Sequence, residues 1–251
     1  AHGGHFVARH NGQVIFVRHG ITNELVKIKI TAVSSKIAHA DVIEVLTAAP
    51  SRVSPPCQYA GKCGGCDFQH IDLLTQRKLK AEIIKEQFIR IGKIDLPLLG
   101  FDLEVNEVEP TDGLHWRTRM DFAVSPSGGI GFFGARSNEV VEIKDCLIAD
   151  ERMNVPELSA RSWKSDARVE VAVSSTNEIS VMRSGRSISG PTQIVEQVGG
   201  NSFKISPVSF WQSHSAAPVE LTKAVLTQLA VKNGDNVCDL YSGVGLFAAA
   251  I

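Results

Sequence analysis

Short-range alternation of apolar and polar residues dominates the first part of the chain. Over residues 6–46 it gives four strand-like runs, FVAR, QVIFVRH, ELVKIKITAV and DVIEVL, separated by the turn signals HNG and HGITNE. The pattern predicts a small all-β barrel with Val and Ile inside. Arg9, His10, Arg18, His19, Lys27 and Lys29 fall on the outer face, a shape suited to RNA. Residues 51–70 (SRVSPPCQYAGKCGGCDFQH) interrupt the alternation with Pro, Gly and Cys and read as a loop. The period then changes. Leu79, Ile83, Ile84, Phe88 and Ile91 recur at helical spacing, with Asp72 as N-cap and Gly92 as stop. Alternation returns over 115–145 as a β meander: WRTRMDFAV, a turn at SPSGG, IGFFGA, then EVVEIKDC. A second hairpin follows at RVEVAVSS–TNE–ISVMRS, and a helix is predicted over 215–230 with Pro218 in its first turn. The strand NVCDLY then enters a glycine loop, and a helix is expected to start near Leu246, with the sequence ending at Ile251. There is no internal repeat and no low-complexity tract.

Composition changes this picture little. Of 251 residues, 43% are hydrophobic and 21% charged, as in an ordinary globular chain. No apolar run approaches the roughly 18 residues needed to span a bilayer, and no secretory signal is read, so a cytoplasmic protein without a membrane partner is expected. The first residue is Ala, so an incomplete N-terminus is expected. Charge is more informative. The net value of −1 hides 13 Lys and Arg against 8 Asp and Glu in residues 1–100, and 13 against 19 in residues 101–251. A basic front attracts phosphates, and the acidic remainder argues against uniform coating of nucleic acid.

The five cysteines carry the first candidate chemistry. Cys57, Cys63 and Cys66 lie within ten residues, and Gly64-Gly65 lets the backbone fold around an ion or cluster. An odd, crowded set is unlike a secreted disulfide framework and fits thiolate metal binding. A fourth ligand is needed for tetrahedral zinc or a cubane iron–sulfur centre; Cys146, at a strand end, is the natural candidate. Spacing leaves zinc and iron–sulfur both open. Cys238 lies inside a predicted strand and reads as a buried apolar filler. The second candidate is the glycine loop itself. Asp239 closes the strand, Gly243-Val244-Gly245 turns the backbone, and a helix start follows, an arrangement suited to a ligand's anionic groups. Gly243-x-Gly245-x-x-Ala248 also matches a dinucleotide fingerprint, which by itself is weak. Arg117 and Arg119 alternate on one strand face as phosphate or base contacts would. Lone histidines such as His39 and His214 read as turn or cap residues.

The order of these motifs is specific. A basic barrel is followed by PPCQYAGKCGGCDFQH, HWRTRMDFAV, KDCLIAD, SPVSFWQSH and DLYSGVGLF. Over essentially the whole chain this resembles the TRAM-domain-containing, iron–sulfur RNA (uracil-5-)-methyltransferases, the family of the bacterial 23S rRNA uracil-5-methyltransferase. The resemblance implies a multi-domain fold. Residues 1–50 would form an OB-like TRAM barrel, residues 51–205 an α+β iron–sulfur and RNA-binding domain, and residues 206–251 the truncated start of an α/β Rossmann-like methyltransferase domain. It implies a [4Fe–4S] cluster on Cys57, Cys63, Cys66 and Cys146 without redox duty. S-adenosyl-L-methionine would be held by Gln212, Asp239, Tyr241, Gly243 and Gly245, the Asp-x-x-x-Gly-x-Gly order resembling motif I of class I methyltransferases. RNA would meet Arg117, Arg119 and Phe210. Several relatives have Asn where this chain has Leu246, so one cofactor contact is missing or supplied elsewhere.

The implied reaction is covalent. A Cys thiolate adds to C6 of a flipped uracil, C5 becomes nucleophilic and takes the methyl group, and a base removes the C5 proton. In the family that Cys and the basic Glu lie far downstream of motif I. Both would fall beyond Ile251, so this chain is expected to be catalytically incomplete and unstable beyond about residue 205. The RNA is expected to be rRNA, with tRNA as the alternative, and nothing argues against a monomer. Two other readings stay open: a non-catalytic RNA-binding module, and an NAD-dependent oxidoreductase with a zinc-stapled accessory domain.

Overall fold

The structure, a computed structural model, describes residues 4–251. The chain divides into two compact units, residues 1–107 and 108–251, a different cut from the expected boundaries after residues 50 and 205.

In the first unit, β1 (His5–His10) and β2 (Gln13–Arg18) form a hairpin. Its turn, Asn11-Gly12, has φ of 47° and 78°, the left-handed pair that matches strand twist in a two-residue turn. β3 (Leu25–Val33) and β4 (Ile37–Thr47) complete a sheet of order β1-β2-β4-β3, with β2 and β4 parallel. All four expected strands form, but as an open sheet edged by β1 and β3 rather than a closed barrel; four strands are few to enclose a core. Ile15, Val17, Ala38 and Ala40 pack on one face, flanked by Ile28 and Val42.

The expected basic exterior is only partly present. Arg9, His10, Lys27 and Lys29 are exposed. Arg18 is buried between Asp41 (3.7 Å) and Asp67 (3.6 Å), and His19 packs edge-on against buried His70. A partner at each position outweighed the alternation that put these two side chains outside.

The cysteine loop grows from a fixed neck. Arg52 and Ile71 form an antiparallel bridge; Val53 donates to the His70 carbonyl (3.0 Å), and Asp72 to that of Ser51 (2.9 Å). Glu24, with its side chain 1% exposed, accepts from Arg52 Nε (2.5 Å), Arg52 Nη2 (2.6 Å) and the amides of Ile21 and Ala49. α1 (Leu73–Gln87) follows, capped by Asp72 accepting from the Thr75 amide (2.8 Å). It runs into one π turn at Phe88–Gly92, and Lys93 ends it in a left-handed conformation. Its expected apolar stripe is not a buried face: Ala81 is buried, whereas Ile84, Phe88 and Ile91 are exposed.

The second unit is built on an antiparallel sheet. β5 (Arg119–Val124), β6 (Ile130–Phe133) and β7 (Val140–Glu142) are the expected meander. α2 (Val155–Ala160) intervenes before β8 (Arg168–Val173), β9 (Ile179–Arg183) and β10 (Arg186–Ser189), giving the order β10-β9-β8-β5-β6-β7. Phe122, Ile130, Val169, Val171 and Val173 are its buried centre, each at most 2% exposed. β11 (Ile194–Val198) and β12 (Asn201–Ile205) form a separate hairpin. α3 (Ala217–Leu229) takes Pro218 in its first turn, as expected.

Two expectations near the end of the sequence are corrected. The predicted strand NVCDLY does not form, and residues 236–241 are irregular. A strand needs a neighbour for its backbone groups, and none pairs with this segment among the described residues. The helix expected from Leu246 is a single 3-10 turn, Ala248–Ala250, which closes on an exposed Ile251.

Candidate functional site

The segment 206–215 (SPVSFWQSHS) is the best-ordered candidate. At its entry, the Arg119 guanidinium donates to the Pro207 carbonyl (3.0 Å). Ser209 closes a turn by donating its amide and its hydroxyl to the Ser206 carbonyl. At its exit, the Ser213 carbonyl accepts from the Thr118 amide (2.7 Å) and hydroxyl (3.1 Å), and the Ser215 amide donates to the Trp116 carbonyl. His214 stacks on Trp116 (centroids 5.2 Å apart, planes 14°) and accepts from the Ala216 amide in the turn before α3, one of the two roles, turn or cap, expected of it. Between these clamps the side chains diverge. Trp211 is 4% exposed and packs on Phe203, whereas Phe210 is 79% exposed. Gln212 is half-buried beside them.

Arg117 and Arg119 do not share an open face. Arg119 is buried, paired through Nη2 with Glu196 Oε1 (3.1 Å), whose other oxygen accepts the Ser175 amide. Burial pulls the Arg119 guanidinium below its ordinary pKa, against the opposing effect of Glu196. Arg117 is half-buried; its Nε donates to the Arg119 carbonyl, and its guanidinium carbon lies 5.8 Å from the Trp116 ring centre. Phosphate-ready geometry is therefore absent at Arg119. Glu196 was missed by sequence reading, although it sits on the buried side of the alternation between Ile194 and Val198.

The glycine loop hangs on few contacts. Gly243 (φ 59°) and Gly245 (φ 82°) adopt left-handed backbone, and an added Cβ at either would meet nothing within 4 Å. This open backbone is what close approach of a ligand requires. Asp239 Oδ2 is buried without a hydrogen-bond partner, an acceptor that a ligand donor would satisfy. Tyr241 is fully exposed. Cys238 is exposed as well, not the buried filler expected, since residues 236–241 pair with no strand among the described residues. Leu246 supplies the anchor: it is buried with Trp211, Phe203, Val198, Ile194 and Ile205. One core cluster thus holds the neighbour of Gln212 and the neighbour of Gly245. The residue that departs from the family pattern is a packing residue.

The thiols sit in two places. Cys57, Cys63 and Cys66 occupy the loop of the first unit, where the Tyr59 amide donates to Cys57 Sγ and the Gly65 amide to Cys63 Sγ, both at 3.4 Å. Burial pushes the Cys63 thiol up, partly offset by the Gly65 amide. Cys146 lies in the second unit after β7. None of the five is in a disulfide. Amides aimed at sulfur suit thiolate ligands, so the donor chemistry of the loop fits a cluster. Even so, no three His, Cys, Asp or Glu side chains stand together as a metal-holding group among the described residues.

Comparison with known proteins decides the family. The TRAM domain model matches residues 1–43. A Streptomyces avermitilis protein named "Uncharacterized RNA methyltransferase" is 34% identical, covering 100% of this chain and 67% of its own length. The chain belongs to the RNA methyltransferase family. Members so named from Streptomyces coelicolor and Corynebacterium glutamicum are each 33% identical over the whole chain, which spans 63% and 65% of their lengths. The chain thus covers about two thirds of these RNA methyltransferases.

The fold of this RNA methyltransferase chain is shared with the crystal structure of Pyrococcus abyssi tRNA (uracil-54, C5)-methyltransferase in complex with S-adenosyl-L-homocysteine. The TM-score is 0.61 at 21% identity, over 99% of this chain and 70% of that one. No helix of the described residues is long and apolar enough to cross a membrane.

Proposed function

We propose that this chain is the RNA-engaging and cofactor-positioning part of an S-adenosylmethionine-dependent enzyme that methylates C5 of a uridine in RNA. The observation that carries this reading is the clamped 206–215 segment, with Phe210 outward and Gln212 tied to the Gly243–Gly245 loop through the Trp211–Leu246 core. Phe210 offers an aromatic face for a base displaced from its stack, and Arg117, bridged to His214, a cation at the segment's exit. Gln212, Asp239, Tyr241 and the two glycines would hold S-adenosylmethionine, which supplies the methyl group when bound. Asp239 offers an acceptor, and the glycines leave the backbone open to the ligand.

The nucleophilic Cys and the general base are assigned to sequence beyond Ile251, and no residue of this chain is assigned to either role. Cys57, Cys63, Cys66 and Cys146 are assigned to a [4Fe–4S] cluster, supported by donor type and the amide–sulfur contacts. Bacterial 23S rRNA is the substrate favoured by the sequence resemblance; the shared fold with a tRNA enzyme makes tRNA the competing substrate. The enzyme would act in the cytoplasm as a monomer.

The test is methyl transfer from labelled S-adenosylmethionine by the full-length gene product, offered rRNA and tRNA separately, with the product nucleoside mapped. Label at uracil C5 in either RNA is the expected result, and the labelled RNA identifies the substrate. Full-length protein that labels no RNA, or another atom, overturns the reading. Anaerobically purified protein should contain iron and acid-labile sulfide in equal amounts; zinc in their place would overturn the cluster.

A further inference from the structure

We propose that Arg119 and Glu196 are positioning residues for the RNA-facing segment 206–215, and that Arg119 does not itself contact RNA. The RNA part of this inference rests on the proposed function. The Arg119 side chain is 10% exposed and Glu196 6%. A single guanidinium joins three elements. It belongs to β5, pairs with Glu196 of β11, and satisfies the Pro207 carbonyl at the entry of the segment. Glu196 commits its second oxygen to the Ser175 amide between β8 and β9. A phosphate reaching Arg119 would have to displace a carboxylate already in place.

The adjacent residue, Thr118, clamps the exit through the Ser213 carbonyl. Consecutive residues thus fix both ends of an arch whose crown is Phe210. Pro207 is buried at the entry and Val208 beyond it is 51% exposed, so the arch leaves the core just after the Arg119 contact. Small displacements matter in such a site, because a misplacement of about 1 Å can cost about 100-fold in rate.

Three variants of the 251-residue chain test the idea by hydrogen exchange and by binding of a short uridine-rich single-stranded RNA. Removing one charge leaves the other buried and unpaired, which can unfold the chain. The decisive variant therefore changes both, Arg119→Met with Glu196→Gln. Arg119→Lys keeps the charge but offers one nitrogen where two partners need donors in a fixed fork. Phe210→Ala serves as the control that leaves the clamps intact.

In the double variant, exchange at the Ser209 amide, bonded to the Ser206 carbonyl at the entry, should rise about tenfold or more, while β5 and β8 stay protected. RNA affinity should fall with its salt dependence unchanged, because no phosphate contact is lost. Arg119→Lys should reproduce the faster exchange, and Phe210→Ala should weaken RNA binding without it. Unchanged protection of the Ser209 amide in both clamp variants overturns the positioning role. A salt slope reduced by about one in the double variant makes Arg119 a direct phosphate contact and overturns the proposal equally. If the unaltered chain binds no RNA, the RNA part of the proposal falls with the functional reading, and the exchange result still decides the positioning role.

Discussion

Residues 206–215 and residues 236–245 are both short motifs of strong resemblance, yet they fare differently in the same unit. The first is held at entry, centre and exit by Arg119, Trp211 and Thr118. The second exposes Cys238, Leu240 and Tyr241 and is fastened by Leu246, with Asn201 bonded to the Ala249 carbonyl farther on. The motifs specify comparable chemistry, but the first has a carbonyl at each end clamped by β5 and the residue before it, through Arg119 and Thr118. Ligand-binding chemistry on a loop is only as precise as the packing behind it.

The largest test of this contrast lies within one dipeptide. Trp211→Ala should cost about 3–5 kcal/mol, the range for emptying a buried aromatic site. Phe210→Ala should stay within about 0.5 kcal/mol, as for exposed positions. Urea unfolding followed by circular dichroism measures both. Similar costs at the two positions would break the claim that the segment divides into an anchor and a free contact. The tryptophan substitution should also loosen the glycine loop, since Leu246 loses its partner.

The first unit repeats the contrast between frame and chemistry: the neck at Arg52 and Ile71 is fixed, and the thiols sit on the loop beyond it. Glu24 is the charge that fixes the neck. Burial alone would raise its pKa, but Arg52 and the Ala49 and Ile21 amides together hold it below the ordinary carboxylate value. A depressed folded value means that this stabilisation is complete above the unfolded pKa and is lost as pH falls through the folded one. Glu24→Gln should therefore cost about 1–3 kcal/mol at neutral pH by leaving the half-buried Arg52 without its carboxylate. It should cost less in acid, where the unaltered chain has lost the pair too. Hydrogen exchange at the amides of Ile15 and Val17, measured at neutral and acidic pH, separates the two. A cost that does not shrink in acid would show that Glu24 acts by shape and not by charge.

Much of the frame could be read from local signals. HNG announced the first hairpin, Asp72 the start of α1, and SPSGG the turn between β5 and β6, because each needs only its own few residues. The errors came where a distant partner decides. Arg18 is buried because Asp41 and Asp67 meet it, and Arg119 because Glu196 does. Residues 186–205 gave no prediction, although IVEQV, Gly199-Gly200 and NSFKI carry the alternation and turn of a hairpin. NVCDLY has strand composition, but composition supplies no second strand. At the candidate site, the two glycines were legible as a ligand loop, Phe210 and Gln212 came from the resemblance, and the clamps around them came from tertiary contacts that no motif encodes.

The smallest effect is the most direct check on the bare motif. Cys238→Ser should leave stability within about 0.5 kcal/mol, since the thiol is exposed and covers no core. In the reduced, metal-free chain, a maleimide should modify Cys238 first. Cys63 should lag behind, because burial limits access and raises its pKa, reducing the thiolate that reacts. Peptide mapping over a time course ranks the five sites, and Cys238→Ser should remove the fast phase. A slow Cys238 would mean that residues 236–241 are covered as a strand in solution. The contrast between a clamped arch and a bare loop would then fail at its weaker end.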